Sequence, residues 1–312
     1  MNNASQQLAI GFDIGGTNVR AGLVNAAGQV LDIRTVPTAS NASDLEESIE
    51  KLVAELRQGN SISGVGLAVA GFIDPTCTTV RFAPHLPWRS APVRKNIEER
   101  IGMPVRLEHD ANSAAWGEAR FGAGRKAKDW VFFAVGTGIG ATLMSDGEIY
   151  RGAFGIAPEF GHLTVVPNGR PCSCGKRGCL ERYASGTALP DTAAELRGRF
   201  DTALPESASS EEIVAAARAG DALGMAVMDE FARWLGLGLA MVVDVLDPEL
   251  IVLGGGVSRE SDLFLDRARQ HMQDNIVGAG YRDVAELKVA ALGSQAGMIG
   301  AADLARAGAC VL

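Results

Sequence analysis

Two stretches decide how this chain folds: "FDIGGTNVRAGLV" (12–24) and "FAVGTGIGATLM" (133–144). In each, an apolar run reads as a strand, enters a glycine-threonine turn and leaves as a second strand. After the first turn Val19, Ala21 and Leu23 alternate with other residues, the two-residue period of a strand. The same layout recurs about 120 residues apart. Such a recurrence implies two related halves, each offering a glycine loop. A glycine loop between strands lets backbone N–H groups approach phosphate without a Cβ in the way. Gly15, Gly16 and Thr17 form the first loop, and Gly136, Thr137 and Gly138 the second. Neither is G-x4-G-K-[ST], and neither is a dinucleotide fingerprint, because a strand rather than a helix follows. A tight hairpin explains either loop alone. Both together, with Asp13 beside the first, point to a clamp for nucleotide phosphates. Asp13 would then hold Mg2+ through water, since magnesium keeps much of its hydration shell.

Outward from the first loop, "NAAGQ" (25–29) turns the chain into a third strand. "SDLEESIEKLVAELRQG" (43–59) has helical periodicity, with Ser43 placed to cap and Glu46 three residues on. "ISGVGLAVAGFID" (62–74) is a strand ending in a glycine turn, and Asp146-Gly147 predicts a hairpin after the second loop. "ARWLGLGLAMVVDVLD" (232–247) reads as a long buried helix. It precedes "PELIVLGGGVS" (248–258), where Gly254, Gly255 and Gly256 either let an adenosine ring lie against backbone or make a plain strand-to-helix turn. "DTALPESASSEE" (201–212) reads as an exposed loop before a helix.

"MPVRLEHDANSAAWGEARFGAG" (103–124) places Asp110 after a strand over 105–108 and at or near the N-cap of a helix over 111–121. One reading is a capping aspartate. The other is a catalytic carboxylate at the end of a strand, with Asn112 bonding a polyhydroxy ligand.

Five cysteines are present, and Cys172, Cys174 and Cys179 fall within eight residues, with His162 just upstream. One imidazole and three thiols suit a tetrahedral zinc ion, and the intervening "GRP", "CG" and "RGC" let the chain wrap around it. Buried free cysteines are the other reading. A closed four-ligand site would be structural, holding Glu159 and Glu181 in place. Cys77 and Cys310 stand alone.

At 312 residues with 47% hydrophobic and 21% charged content, the chain should form two packed units. Its net charge of −8 argues against a nucleic-acid-coating surface. "MNNASQQLAI" lacks the pattern of a signal peptide, and the uncharged run 131–144 is too short and glycine-broken to span a membrane. A cytoplasmic location is expected. The apolar helix over 225–245 suggests a homodimer or homotetramer, although a core helix gives the same pattern.

Taken together these pieces resemble the ROK family of sugar kinases and repressors, most closely its actinobacterial-type glucokinases, over essentially the whole chain. "DIGGT" looks like the family's first phosphate motif and "GTGIG" its second; "PEFGHLTV…CSCGKRGCLERYASG" resembles the family signature with its zinc motif. "GGGVS" is similar to the adenosine-side turn, and "SQAGMIGAADLA" to the C-terminal helix that returns to the first domain. The resemblance implies an α/β, two-domain actin/hexokinase-like ATPase fold with ribonuclease H-like halves and a zinc-binding loop. The small domain is expected over 1–119 plus 296–312 and the large one over 120–295. It implies ATP-dependent phosphorylation of a hexose 6-hydroxyl, glucose first, with ATP, Mg2+ and Zn2+ as cofactors. Asp110 corresponds to the general base. Asn112, Glu159, His162 and Glu181 match sugar-contacting positions, with Gly71 on a loop lining the pocket, and His162 matches a residue credited with both sugar contact and zinc ligation. Two departures stand out. The family usually has Asn before the catalytic Asp, where this chain has His109, and often Asn in "PNLPW", where it has His85. If His109 faces the sugar, affinity or epimer choice changes. An N-acetylmannosamine, mannose or fructose kinase and a polyphosphate donor are the nearer alternatives. A sugar-responsive regulator is the more distant one.

Overall fold

In the computed structural model, which describes residues 7–307, the first glycine stretch becomes β1 (Leu8–Ile14), the turn and β2 (Asn18–Val24). β3 (Val30–Pro37), α1 (Ala42–Arg57), β4 (Ile62–Val69), the short strands β5 (Phe72–Ile73), β6 (Val80–Phe82) and β7 (Arg89–Ala91), α2 (Val93–Ile101), β8 (Val105–His109) and α3 (Asp110–Phe121) follow. Then come β9 (Trp130–Val135), β10 (Ile139–Ser145), β11 (Glu148–Tyr150), α4 (Glu181–Ala184), α5 (Ala188–Leu196), α6 (Ser210–Arg218), α7 (Ala222–Leu246), β12 (Leu250–Gly254), α8 (Leu265–Asp274), β13 (Glu286–Val289) and α9 (Ala296–Ala307). The chain divides into two compact units. One takes in residues up to Lys128, Thr142–Pro158 and the chain from Ala291; the other takes in Asp129–Ala141 and Glu159–Ala290.

The first sheet has the order β3-β2-β1-β4-β8 and the second β11-β10-β9-β12-β13. The two orders correspond strand for strand: a hairpin and its neighbour, then parallel strands added on the other side. In the first, β1 pairs antiparallel with β2 and parallel with β4, which pairs parallel with β8. In the second, β12 lies parallel to both β9 and β13, while β10 and β11 form an antiparallel hairpin. Asp146 (φ 50°) and Gly147 (φ 81°) make its turn, the left-handed pair that such two-residue loops require.

β1 is a near-continuous apolar run because both faces of its sheet are covered. Ile10, Phe12 and Ile14 pack with Leu45 and Ile49 of α1 and Ile97 of α2. On the other face Ala9 packs with Ile299 and Ala302 of α9. That second contact is close because glycine faces the helix. A Cβ on Gly11 would stand 1.9 Å from the Met298 carbonyl oxygen, and one on Gly66 1.9 Å from that of Ala301. Asp13, two residues on from Gly11, shares this face by the period of a strand. At the end of α3, buried Glu118 accepts bonds from Ala123, Ala291 and Leu292, tying the incoming chain of α9 in place.

α1 begins one residue before Ser43. Its cap is Asn41, whose side chain accepts the Asp44 N–H at 2.9 Å, so Ser43 lies inside the first turn. "SNASD" (40–44) offers several capping residues, and Asn41, two residues before Ser43, starts the helix earlier. The 201–212 stretch ends in a capping box, Ser209 with Glu212, so its last three residues already belong to α6. α7 runs 25 residues and buries Phe231, Leu235, Leu239 and Val243. No helix among the described residues is long and apolar enough to cross a membrane. Cys310 lies outside the described residues.

Candidate active site and metal centre

The parallel strands β1, β4 and β8 end side by side: Ile14 pairs with Val69, and Val69 with His109. Asp13, Gly71 and the pair His109–Asp110 therefore emerge at the same edge of one sheet, where ligands of open α/β sheets bind. Gly71 fits tightly there, since a Cβ would stand 2.8 Å from that of Ala83. Asp13 is 3.8 Å from the Arg20 guanidinium. Burial pushes its carboxyl up to about 6, the charge of Asp110 adds to the rise, and Arg20 offsets part of it. The negative charge of Asp110 thus opposes the ionisation of Asp13.

The first loop is held by its carbonyls. Thr38 donates its hydroxyl to the Gly15 oxygen at 2.6 Å and its N–H to the Thr17 oxygen at 3.0 Å, and Gly15 N–H closes the turn on Asn18. Gly16 lies against His85, whose Cβ would be 2.6 Å from an added Cβ.

Asp110 is the first residue of α3, and His109 is the N-cap. The Oδ1 atom of Asp110 accepts the Ala111 N–H at 2.8 Å and stands 3.2 Å from His109 Nε2. The side chain stays 43% exposed, so its first-turn position does not bury it. Asn112 is buried instead: its amide donates to Glu108 at 3.0 Å and its oxygen accepts from Thr142 at 3.0 Å. Glu108 lies beneath this turn with Arg151 at 2.5 Å and Arg106 at 3.1 Å. Burial alone would raise its carboxyl, but Arg151 and then Arg106 hold it below the usual range. This network had no signal in the sequence, because its arginines lie on separate strand and loop segments that only folding unites.

In the second unit, Gly136 N–H bonds the Gly138 carbonyl, and the Gly136 oxygen accepts from Gly186 at 2.7 Å. Thr187 donates its hydroxyl to the Thr137 oxygen at 2.8 Å. The loop's far end is fixed by Glu181, which accepts the Ile139 N–H at 2.9 Å and sits where a Gly138 Cβ would go. Beside the loop is a cavity of about 670 Å³, lined by Gly136, Thr137, Thr187, Val214, Gly256 and Arg259 among others. The three glycines at the end of β12 divide their duties. Gly254 clears Phe132. Gly255, at φ 83°, makes the turn and would place a Cβ 2.4 Å from the Val135 oxygen. Gly256 meets nothing within 4 Å and lines the cavity. The sequence places a helix after the 201–212 loop, with the Ser209 capping box at its start, but carries no sign that this helix and α5 wall a cavity.

His162, Cys172, Cys174 and Cys179 come together, their ligand atoms all within 4.8 Å of one another. Cys174 Sγ and Cys179 Sγ are 3.7 Å apart, and Cys172 Sγ is 3.6 Å from His162 Nδ1. A tetrahedral ion with metal–sulfur bonds of about 2.3 Å and metal–nitrogen bonds of about 2.05 Å needs edges of about 3.8 and 3.6 Å. The four donors fit such an ion. Burial, then the neighbouring thiols, pushes Cys179 up to about 12. His162 Nε2 points the other way, 3.7 Å from Glu159. Glu181 Oε1 stands 3.8 Å from Cys172 Sγ. Glu181 therefore adjoins both the metal-binding side chains and the second glycine loop.

The profile of the ROK family matches residues 9–308. The chain belongs to the ROK family. Among relatives of this ROK protein, a glucokinase of Streptomyces coelicolor is 40% identical over 310 residues, covering 96% of this chain and 98% of the relative. The crystal structure of a ROK glucokinase from Streptomyces griseus in complex with glucose and AMPPNP superposes with a TM-score of 0.84 at 41% identity, covering 96% of this chain and all of that one. A xylose repressor of Caldicellulosiruptor bescii is 32% identical, over 84% of this chain and 69% of the repressor. The ROK chain thus has the α/β fold of hexokinase-type kinases, with a Cys/His cluster able to bind metal.

Proposed function

We infer that this ROK protein is a glucokinase, transferring the γ-phosphoryl group of ATP to the 6-hydroxyl of glucose. The observation that carries the reading is Asp110: a half-exposed carboxylate at the strand-end edge that bears Asp13 and the first glycine loop. Likeness to glucokinases across nearly the full chain supports it. Asp110 takes the proton of the 6-hydroxyl as that oxygen attacks the γ-phosphorus in line, and ADP leaves. A positioned general base contributes about 10²–10⁴-fold. The N–H groups of both glycine loops stabilise the charge on the transferring phosphoryl. Asp13 would hold Mg2+, which supplies charge neutralisation between the phosphates.

The cavity beside Gly136 and Gly256 takes the adenosine of ATP, with Gly256 giving it flat backbone. Glu159, His162 and Glu181 orient the sugar by hydrogen bonds, while the backbone near Gly71 lines the sheet edge that bears Asp110. Asn112 acts from beneath, through Glu108 and Thr142, rather than from an open pocket wall. Cys172, Cys174, Cys179 and His162 Nδ1 would hold a structural Zn2+, leaving His162 Nε2 for Glu159 and the sugar. The enzyme works in the cytoplasm as a homodimer or homotetramer.

The test is a panel of hexoses offered with ATP or with polyphosphate, read as sugar phosphate formed. Glucose 6-phosphate from glucose and ATP, ahead of mannose, fructose and N-acetylmannosamine, is the expected product. Preference for another sugar or for polyphosphate would replace glucokinase by that activity. Absence of any phosphorylation would end the kinase reading.

A further inference from the structure

The ring of His109 turns toward Asp110. Nε2 lies 3.2 Å from Asp110 Oδ1. The Ala111 N–H reaches the same oxygen at 2.8 Å. Both contacts thus fall on Oδ1. The imidazole is itself well anchored. His109 is the extended N-cap of α3, at φ −63° and ψ 145°. Its N–H donates to Glu108 Oε1 at 3.1 Å, and Glu108 is buried between Arg106, Arg151 and Asn112. The side chain therefore hangs from a rigid turn, and its reach is set by the ring.

We propose that His109 is a positioning residue for the base: its Nε2–H binds Oδ1 of Asp110 and reserves Oδ2 for the substrate hydroxyl. This rests on the kinase reading above. A lone aspartate at the start of a helix can rotate and use both oxygens on backbone N–H groups, which would hide it from substrate. With Oδ1 held from two directions, rotation is checked. Oδ2 takes the proton of the 6-hydroxyl, the O6–phosphorus bond forms, and the bond from the γ-phosphorus to the bridging oxygen breaks, its electron pair going to ADP. An Asn side chain at 109 ends about where the ring's Nδ1 sits and falls short of Oδ1. A Gln side chain is one methylene longer and can bring an amide N–H to the place of Nε2. The donor therefore matters here, and its reach matters with it.

This role separates from direct sugar contact by which kinetic constant moves. Steady-state rates with glucose and ATP are measured for the intact enzyme and for His109→Ala, His109→Asn and His109→Gln, each checked by its melting temperature. Misplacing a catalytic group by about 1 Å costs up to about 10²-fold. The expected result is a kcat lower by about 10–100-fold in His109→Ala and His109→Asn, with glucose KM moved less than about threefold. His109→Gln should recover kcat to within about fivefold of the intact enzyme. A raised KM at unchanged kcat would make His109 a sugar contact and overturn the proposal, as would a Gln variant no better than Ala. An intact enzyme that phosphorylates no sugar would defeat the kinase reading alone. The contact would then be decided by 15N spectra of the His109 ring. A protected Nε2–H lost in Asp110→Ala is expected, and a proton resident on Nδ1 would contradict it.

Discussion

Asp13 carries the cost of the site most visibly. Its carboxyl sits at about 6, against an ordinary 3.8, so the folded protein binds this proton more tightly than the unfolded chain does. Its contribution to stability is then full below about pH 4 and is lost as pH rises through 6. Asp13→Asn should accordingly melt higher than the intact protein at pH 7.5, with the gap closing by about pH 4. The same variant should lose most phosphotransferase activity. A lower melting temperature at pH 7.5 would contradict this account of Asp13. At this scale the sequence was informative about chemistry and less so about reach. Asp13, Asp110 and the loop glycines stand out by type and spacing. That Asn112 is sealed beneath the turn, and that His109 touches Asp110, depends on rotamers and on Glu108, Arg106 and Arg151 meeting below.

Secondary-structure elements depend on small residues where backbone must approach backbone. Gly66→Ala would drive a Cβ to 1.9 Å from the Ala301 oxygen and force α9 away from β4. Strain of this kind costs about 1–3 kcal/mol or more, seen as a lower melting temperature. Gly255→Ala combines a left-handed φ of 83° with a 2.4 Å approach to the Val135 oxygen. It should weaken adenine nucleotide binding, measured by calorimetry, more than it weakens glucose binding. The cysteine loop is an element whose four donor side chains converge on one point. Chelation, or Cys174→Ser, should release zinc to a colorimetric indicator and lower the melting temperature, since metal binding to a preformed site adds to folding free energy. It should also weaken glucose binding through His162 and Glu181. Unchanged glucose affinity in metal-free protein would separate the cluster from the sugar site. Strands and helices were largely legible because their periods survive in the sequence. The start of α1 was not, since Asn41 and Ser43 are both capable caps and only the Asp44 N–H bond decides between them.

Across the whole molecule, the repeat of the glycine stretch in the sequence reappears as two sheets of corresponding strand order. This was legible because a strand–turn–strand unit is local. The cavity beside the second loop was not, because its walls come from that loop, α5, α6 and the end of β12, far apart in sequence. The cavity lies wholly within the second unit. Hydrogen exchange with ADP should therefore protect amides near 136–138, 186–187 and 255–257, while glucose alone should protect those near 109–111 and 159–162. Protection by ADP confined to the first unit would misplace the nucleotide.

One substitution bears on all of these claims. Asp110→Asn keeps the size of the side chain and an oxygen for the Ala111 N–H while removing the base. Its kcat for glucose phosphorylation should fall by about 10²–10⁴-fold, with glucose affinity by calorimetry held within a few-fold of the intact enzyme. A variant that kept most of its turnover would leave Asp110 as a helix-start residue and take the general base out of the mechanism.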